Sequence, residues 1–252
     1  SSGALSVSVS GRGLGVSGAS AVAVLGATAF EGSGWASDSA VVCKAPMGGF
    51  GGAVGVVSAG AQRGSCSGLL SYDAPSVSSA ARSNVASSGA VSVTVVGRGG
   101  AGPSGASSKA RLGSTACGGS VWQSDSGVLC RSAYGGFADL PVAVSSGRQR
   151  GSASRALSYN APDVSSVELS NAASSGGMSV TVAGRGGMGL SDFSAAARVG
   201  ASGCAASAWR SDSGVVCRSS GGMRRGAAVL MSSGVQRGSL SAAASYDAPS
   251  VS

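Results

Sequence analysis

The 252-residue chain contains no histidine, few aromatic residues and little charge. Without histidine, Ser-His-Asp and Cys-His catalysis are excluded and most transition-metal sites are removed. Aromatics make up 4% of the residues, so any core must rely on Val, Ala and Leu. Small side chains bury little apolar area each, at about 25 cal/mol per Å². Charged residues make up 11% and form no block of one sign, and Lys44 and Lys109 are the only lysines. The net charge of +8 is therefore carried mostly by scattered arginines, which read as a solvated surface. No apolar run is long enough to span a bilayer. Asn84, Asn160 and Asn171 all fail the Asn-x-Ser/Thr rule, so the Ser/Thr-rich surface reads equally as a carrier of O-linked sugars or as plain solvated serine.

What the chain does contain is a repeat. Tyr72-Asp-Ala-Pro75, Tyr159-Asn-Ala-Pro162 and Tyr246-Asp-Ala-Pro249 stand 87 residues apart. The same interval separates Trp35, Trp122 and Trp209, and again Cys43, Cys130 and Cys217. A Ser/Gly/Ala-rich composition alone would suit a disordered chain. A disordered chain has no physical reason to keep its large residues in register. One unit written three times is instead a modular array, whose default role is structural or adhesive.

Each unit reads as strands. Val91-Ser-Val-Thr-Val95 alternates with period two, and Val7-Ser-Val9 and Val180-Thr-Val182 match it. Pro75-Ser-Val77 suits a strand start. Gly-Arg-Gly turns follow at Gly11, Gly97 and Gly184, the first interval being 86 because the first unit is one residue short in the next loop. Gln149-Arg-Gly151 reads as a tight turn before the last strand. Seven short strands per 87 residues predict an immunoglobulin-like β-sandwich, with Trp35, Trp122 and Trp209 in the core against a cystine. The fold expected is all-β: three tandem immunoglobulin-like sandwiches in an extended array.

The six cysteines are expected as three bridges. Cys117 pairs with Cys130 and Cys204 with Cys217, each closing a short loop worth about 2–4 kcal/mol. The first unit has Phe30 where the others have their first cysteine, and a new Cys66. Cys43 is therefore expected to pair with Cys66. Metal ligation is the competing reading and is weak, since each unit has two thiols and no CxxC occurs. Disulfides imply an oxidising, extracellular setting.

Other motifs read as structure. Gly13-Leu-Gly15-Val-Ser-Gly18 matches GxGxxG, but a strand rather than a helix is expected next, so it is a glycine-rich hairpin loop. Ser-Asp-Ser recurs around Asp38, Asp125 and Asp212. One carboxylate per unit is too few for calcium, and the expected role is an Asp accepting backbone N–H bonds in a turn. No catalytic residues, cofactor or metal are expected.

The collected motifs resemble the IPT/TIG group of immunoglobulin-like domains. The string runs Pro75-Ser-Val77, Ser88-Gly-Ala-Val-Ser-Val-Thr-Val95, Gly97-Arg-Gly99, Leu112-Gly113, Cys117, Cys130 and Tyr159-Asn-Ala-Pro162. It departs from the family where the aromatic of a Gly-x-x-Phe turn is missing. Trp-x-Ser-Asp-Ser-x-Val-x-Cys resembles tandem TIG-like repeats in large surface proteins of algae and other protists. The resemblance implies extracellular adhesion or scaffolding. TIG-like domains also occur in DNA-binding factors, and Arg12, Arg98 and Arg185 would then form a phosphate ladder, a use that the disulfides argue against.

The expected boundaries are 1–74, 75–161 and 162–248, with Tyr72, Pro75, Tyr159, Pro162, Tyr246 and Pro249 at the junctions. Ser1–Val7 aligns with Ser87–Val93, so the first unit is expected to lack its first strand. Residues 249–252 are expected to be the first strand of a following repeat, or a donor strand that completes another molecule. The function expected is a non-enzymatic, structural subunit of an extracellular filament, hair-like appendage or cell-surface coat. The alternative is an adhesion or glycan-binding module using surface Arg and loops. The partners expected are the protein itself and acidic or O-linked glycans, with no nucleic acid and no membrane span.

Overall fold

The structure, a computed structural model, describes residues 3–16, 21–49, 51–102, 107–189 and 195–248. Every helix or strand among these residues is a β-strand. The first repeat runs through β1 (Ser6–Ser10), β2 (Ala21–Leu25), β3 (Thr28–Ala29), β4 (Gly32–Ser37), β5 (Ala40–Lys44), β6 (Ala53–Ala59) and β7 (Gln62–Leu70). The second opens with β8 (Val77–Ala80) and β9 (Asn84–Val85). It continues with β10 (Ser92–Gly97), β11 (Lys109–Leu112), β12 (Thr115–Ala116), β13 (Gly119–Ser124), β14 (Gly127–Arg131), β15 (Leu140–Ser146) and β16 (Gln149–Tyr159). The third repeats that order as β17 (Val164–Glu168), β18 (Asn171–Ala172), β19 (Ser179–Gly184), β20 (Ala196–Val199) and β21 (Ser202–Gly203). It closes with β22 (Ala206–Ser211), β23 (Gly214–Arg218), β24 (Ala227–Ser233) and β25 (Gln236–Tyr246).

In the third repeat these strands form two sheets, β17-β19-β23-β22 and β18-β25-β24-β20-β21. All its pairings are antiparallel except β18 with β25, where Ala172 faces Tyr246. The two sheets close on one core that includes Val182 and Val215 from one sheet and Val199, Val229 and Met231 from the other. The first repeat has sheets β1-β5-β4 and β3-β2-β6-β7 around Val9, Leu25, Phe30, Val41 and Cys43. The period-two pattern predicts which residues enter: Val180 and Val182 are buried, while Ser179 between strand and solvent is exposed. The chain is thus an all-β protein of immunoglobulin-like sandwiches. Among the described residues the second and third repeats each have nine strands rather than the seven expected, because two-residue strands extend the sheet edges.

A serine ties the layers together in each repeat. Ala23, Ala110 and Ala197 donate their N–H to the hydroxyls of Ser33, Ser120 and Ser207 at 3.2, 3.0 and 3.1 Å. By contact density the chain divides into two compact units. One comprises residues 1–81, 94–130 and 142–153; the other comprises residues 82–93, 131–141 and 154–252. The first therefore holds the joint between repeats one and two, and the second holds the joint between repeats two and three.

Candidate functional site

The recurrent Trp-x-Ser-Asp-Ser string acts as a clamp. Trp35, Trp122 and Trp209 donate Nε1–H to the carbonyls of Gly15, Gly102 and Gly189 at 3.0, 2.8 and 2.9 Å. The same glycines donate N–H to Asp38, Asp125 and Asp212 at 3.1, 3.1 and 2.9 Å. One loop glycine is thus held on both sides by side chains three residues apart. The aspartates do accept backbone N–H bonds, but from a loop 23 residues upstream rather than within their own turn. The three indoles are only half-buried, on β4, β13 and β22, and Trp209 flanks its core rather than filling it. A buried indole needs a partner for its N–H, and the carbonyl at the core's rim supplies one. In the GxGxxG segment, Ser17 and Gly18 lie outside the described residues.

Each closing tyrosine fixes its own repeat. The hydroxyls of Tyr72, Tyr159 and Tyr246 donate to the carbonyls of Pro46, Ala133 and Ser220, each 26 residues upstream, at 2.6, 2.7 and 3.0 Å. Their rings lie against Gly48, Gly135 and Gly222, where any Cβ would enter the ring. Burial raises the Tyr159 pKa, and burial with help from the Glu31 charge raises that of Tyr72.

The same tyrosines begin the joints. In the compact unit that holds residues 1–81, Gln149 donates Nε2–H to the Tyr72 carbonyl at 2.5 Å; in the other, Gln236 donates to the Tyr159 carbonyl at 2.5 Å. Beside each glutamine a hairpin glycine, Gly147 (φ 56) or Gly234 (φ 58), adopts the left-handed conformation. A Cβ there would sit 2.8 Å from the Gly49 carbonyl or 2.9 Å from the Gly136 carbonyl. Gly151 and Gly238 lie so close to the carbonyls of buried Pro75 and Pro162 that a Cβ would collide with them. In the second unit Ser87 adds a hydroxyl bond to Asp212 at 2.7 Å. In the first repeat the corresponding Gln62 is exposed, and a Cβ at Gly60 or Gly64 would meet nothing within 4 Å. Pro249 and the expected strand 249–252 lie outside the described residues.

The sequence reading identified the tyrosines but missed the glutamines. Their signal was the 87-residue recurrence of Gln62-Arg-Gly, Gln149-Arg-Gly and Gln236-Arg-Gly, read only as a turn.

Two of the three expected bridges are present. Cys117–Cys130 and Cys204–Cys217 have Cα atoms 5.6 and 5.7 Å apart. The expected Cys43–Cys66 bridge is corrected: both thiols are free. Cys43 lies in the core on β5, paired with Val7 and Ser33, whereas Cys66 is exposed on β7 in the opposite sheet, across from Gly55. Phe30 explains why no second thiol is needed. Its N–H bonds Ala23 just as those of Cys117 and Cys204 bond Ala110 and Ala197, so the backbone is unchanged and the ring fills the space. Burial raises the Cys43 pKa, partly offset by a hydrogen bond with Ser33.

Arg12, Arg98 and Arg185 are all exposed on their turns. Among the described residues, no three of Cys, Asp and Glu gather into a metal-binding group. No helix among them is long and apolar enough to cross a membrane.

No protein family matches the chain, and no curated protein does either. Solved structures do resemble it. The full extracellular region of plexin A4, domains 1 to 8, is 12% identical with a TM-score of 0.35, over 96% of this chain and 32% of that one. A surface glycan-binding protein, PbSGBP-B from Prevotella bryantii, is 13% identical with a TM-score of 0.42, over 69% of this chain and 43% of that one. The I9-I11 tandem of titin is 8% identical with a TM-score of 0.29, over 96% and 93%. This chain thus spans about a third of the plexin chain's length.

Proposed function

We propose that the protein is a structural, non-enzymatic component of an extracellular filament, hair-like appendage or cell-surface coat. Its domains span residues 1–74, 75–161 and 162–248, and copies assemble end to end. The resemblance to tandem TIG-like repeats of algal and protist surface proteins suggests the kind of surface.

One observation carries the reading. The Gln-to-Tyr bond recurs at 2.5 Å in both compact units, with a glycine pressed on backbone beside it. A flexible linker has no need for such contacts; a joint of fixed geometry does. The two cystines fit an oxidising compartment. Light scattering over a concentration series tests the proposal: the apparent mass is expected to climb with concentration. A mass fixed at one chain throughout would sink it.

The alternative is an extracellular adhesion module that holds a glycan. The net charge of +8 supports it, because a basic surface favours acidic partners.

A further inference from the structure

Some of the cations scattered along the sequence come together on the fold. On β11, Lys109 and Arg111 are two residues apart and both exposed, so they share the outer face of their sheet. Across the register from them stand Ser145 and Ala143 of β15, which are too small to screen them. Arg148 and Arg150 follow at the next hairpin and the start of β16, and both are exposed. Neighbouring strands lie about 4.8 Å apart and same-face residues about 6.8 Å apart along a strand, so these cations fall within one short patch. No acidic residue occurs on β11, β15 or β16. Among the described residues Lys109, Arg111, Arg148 and Arg150 form no ion pair.

The third repeat keeps part of this face. Arg198 and Arg237 stand where Arg111 and Arg150 do, and they line a cleft of about 550 Å³ with Leu230 and Val235. Its strands β20, β24 and β25 also carry no acid. The first repeat does not keep it: Val22 and Val24 replace Lys109 and Arg111.

We propose that the outer face formed by Lys109, Arg111 and Arg150 binds an acidic polysaccharide, and that Arg198 and Arg237 form a separate site of the same kind. This rests on the glycan-binding reading, not on the filament. It places the contact on strands, away from the Gly-Arg-Gly turns. A polyanion suits a row of unpaired cations, because each bound anionic group releases counterions and gains a partner. The face carries no aromatic residue on which a base could stack, which disfavours single-stranded nucleic acid. The cystines fit an oxidising, extracellular setting, in which a polysaccharide is an available partner.

The test uses the full chain, at concentrations where it is monomeric, titrated with polygalacturonate, neutral dextran and duplex DNA by calorimetry. Saturable binding to polygalacturonate that weakens steeply with salt is expected, with none to dextran. The triple variant K109Q/R111Q/R150Q should weaken it about tenfold, as three exposed charge contacts would. The variant R12Q/R98Q/R185Q removes the same charge from the turns and should change it less than about threefold. Both variants should keep the wild-type melting temperature. Equal losses in the two variants, DNA binding as tight as polygalacturonate, or no saturable binding would each overturn the proposal. Filament formation is read separately, so the two ideas fail independently.

Discussion

In the third repeat a cystine joins Cys204 to Cys217; at the same two positions the first repeat has Phe30 and Cys43. The backbone around them is the same in both, down to the N–H bond of residue 30 or 204. Phe30 is 7% exposed and Cys43 is wholly buried, so an aromatic ring packs the volume that a covalent bridge occupies elsewhere. Within the third repeat, glycines also differ in what presses on them. Gly238 lies against the Pro162 carbonyl, while Gly203 faces open space. Conserving a backbone plan therefore does not require conserving its fastener. The position of a tight glycine carries meaning only where another segment comes up against it.

The largest expected effect breaks that comparison at the glycines. Gly238→Val should cost about 3 kcal/mol or more, since the collision is with backbone that cannot swing aside. Gly203→Val, where a Cβ would meet nothing within 4 Å, should stay within about 0.5 kcal/mol. Denaturant unfolding of each variant reads the difference, and equal costs would remove the joint from the account. Reduction comes next. Breaking Cys204–Cys217 should cost about 2–4 kcal/mol, with Cys117–Cys130 following alike and the first repeat unchanged. The comparison sharpens in reverse with Phe30→Cys, which should form a new bridge to Cys43, seen as the loss of two hydrogens in intact mass.

The smallest effect lies at high pH. Tyr72 and Tyr159 hold their protons more tightly when folded than the ordinary tyrosine pKa of about 10. The unfolded chain releases its tyrosine protons first as pH rises. Their stabilising share is therefore intact below about pH 10 and is lost as pH climbs through the raised values. A melting temperature that falls above pH 10, and falls less in Tyr159→Phe, would show it.

Much of this was legible in the residues. The 87-residue period gave the order of elements, and the alternating Val/Ser strands gave the buried faces, because side-chain direction in a strand is set locally. The cystines were legible in the two repeats where spacing alone decided them. What was hidden depended on distance in the chain. Nothing local to Gln149 names a carbonyl 77 residues earlier as its acceptor. Cys66 complements Cys43 by count, but the two belong to opposite sheets. The basic face was hidden for the same reason: Arg111 and Arg150 become neighbours only when β11, β15 and β16 pair.

Electron microscopy of the concentrated protein tests the central claim most directly. The account predicts filaments that lengthen with concentration and are built from end-to-end copies. Dispersed single chains at every concentration would contradict it.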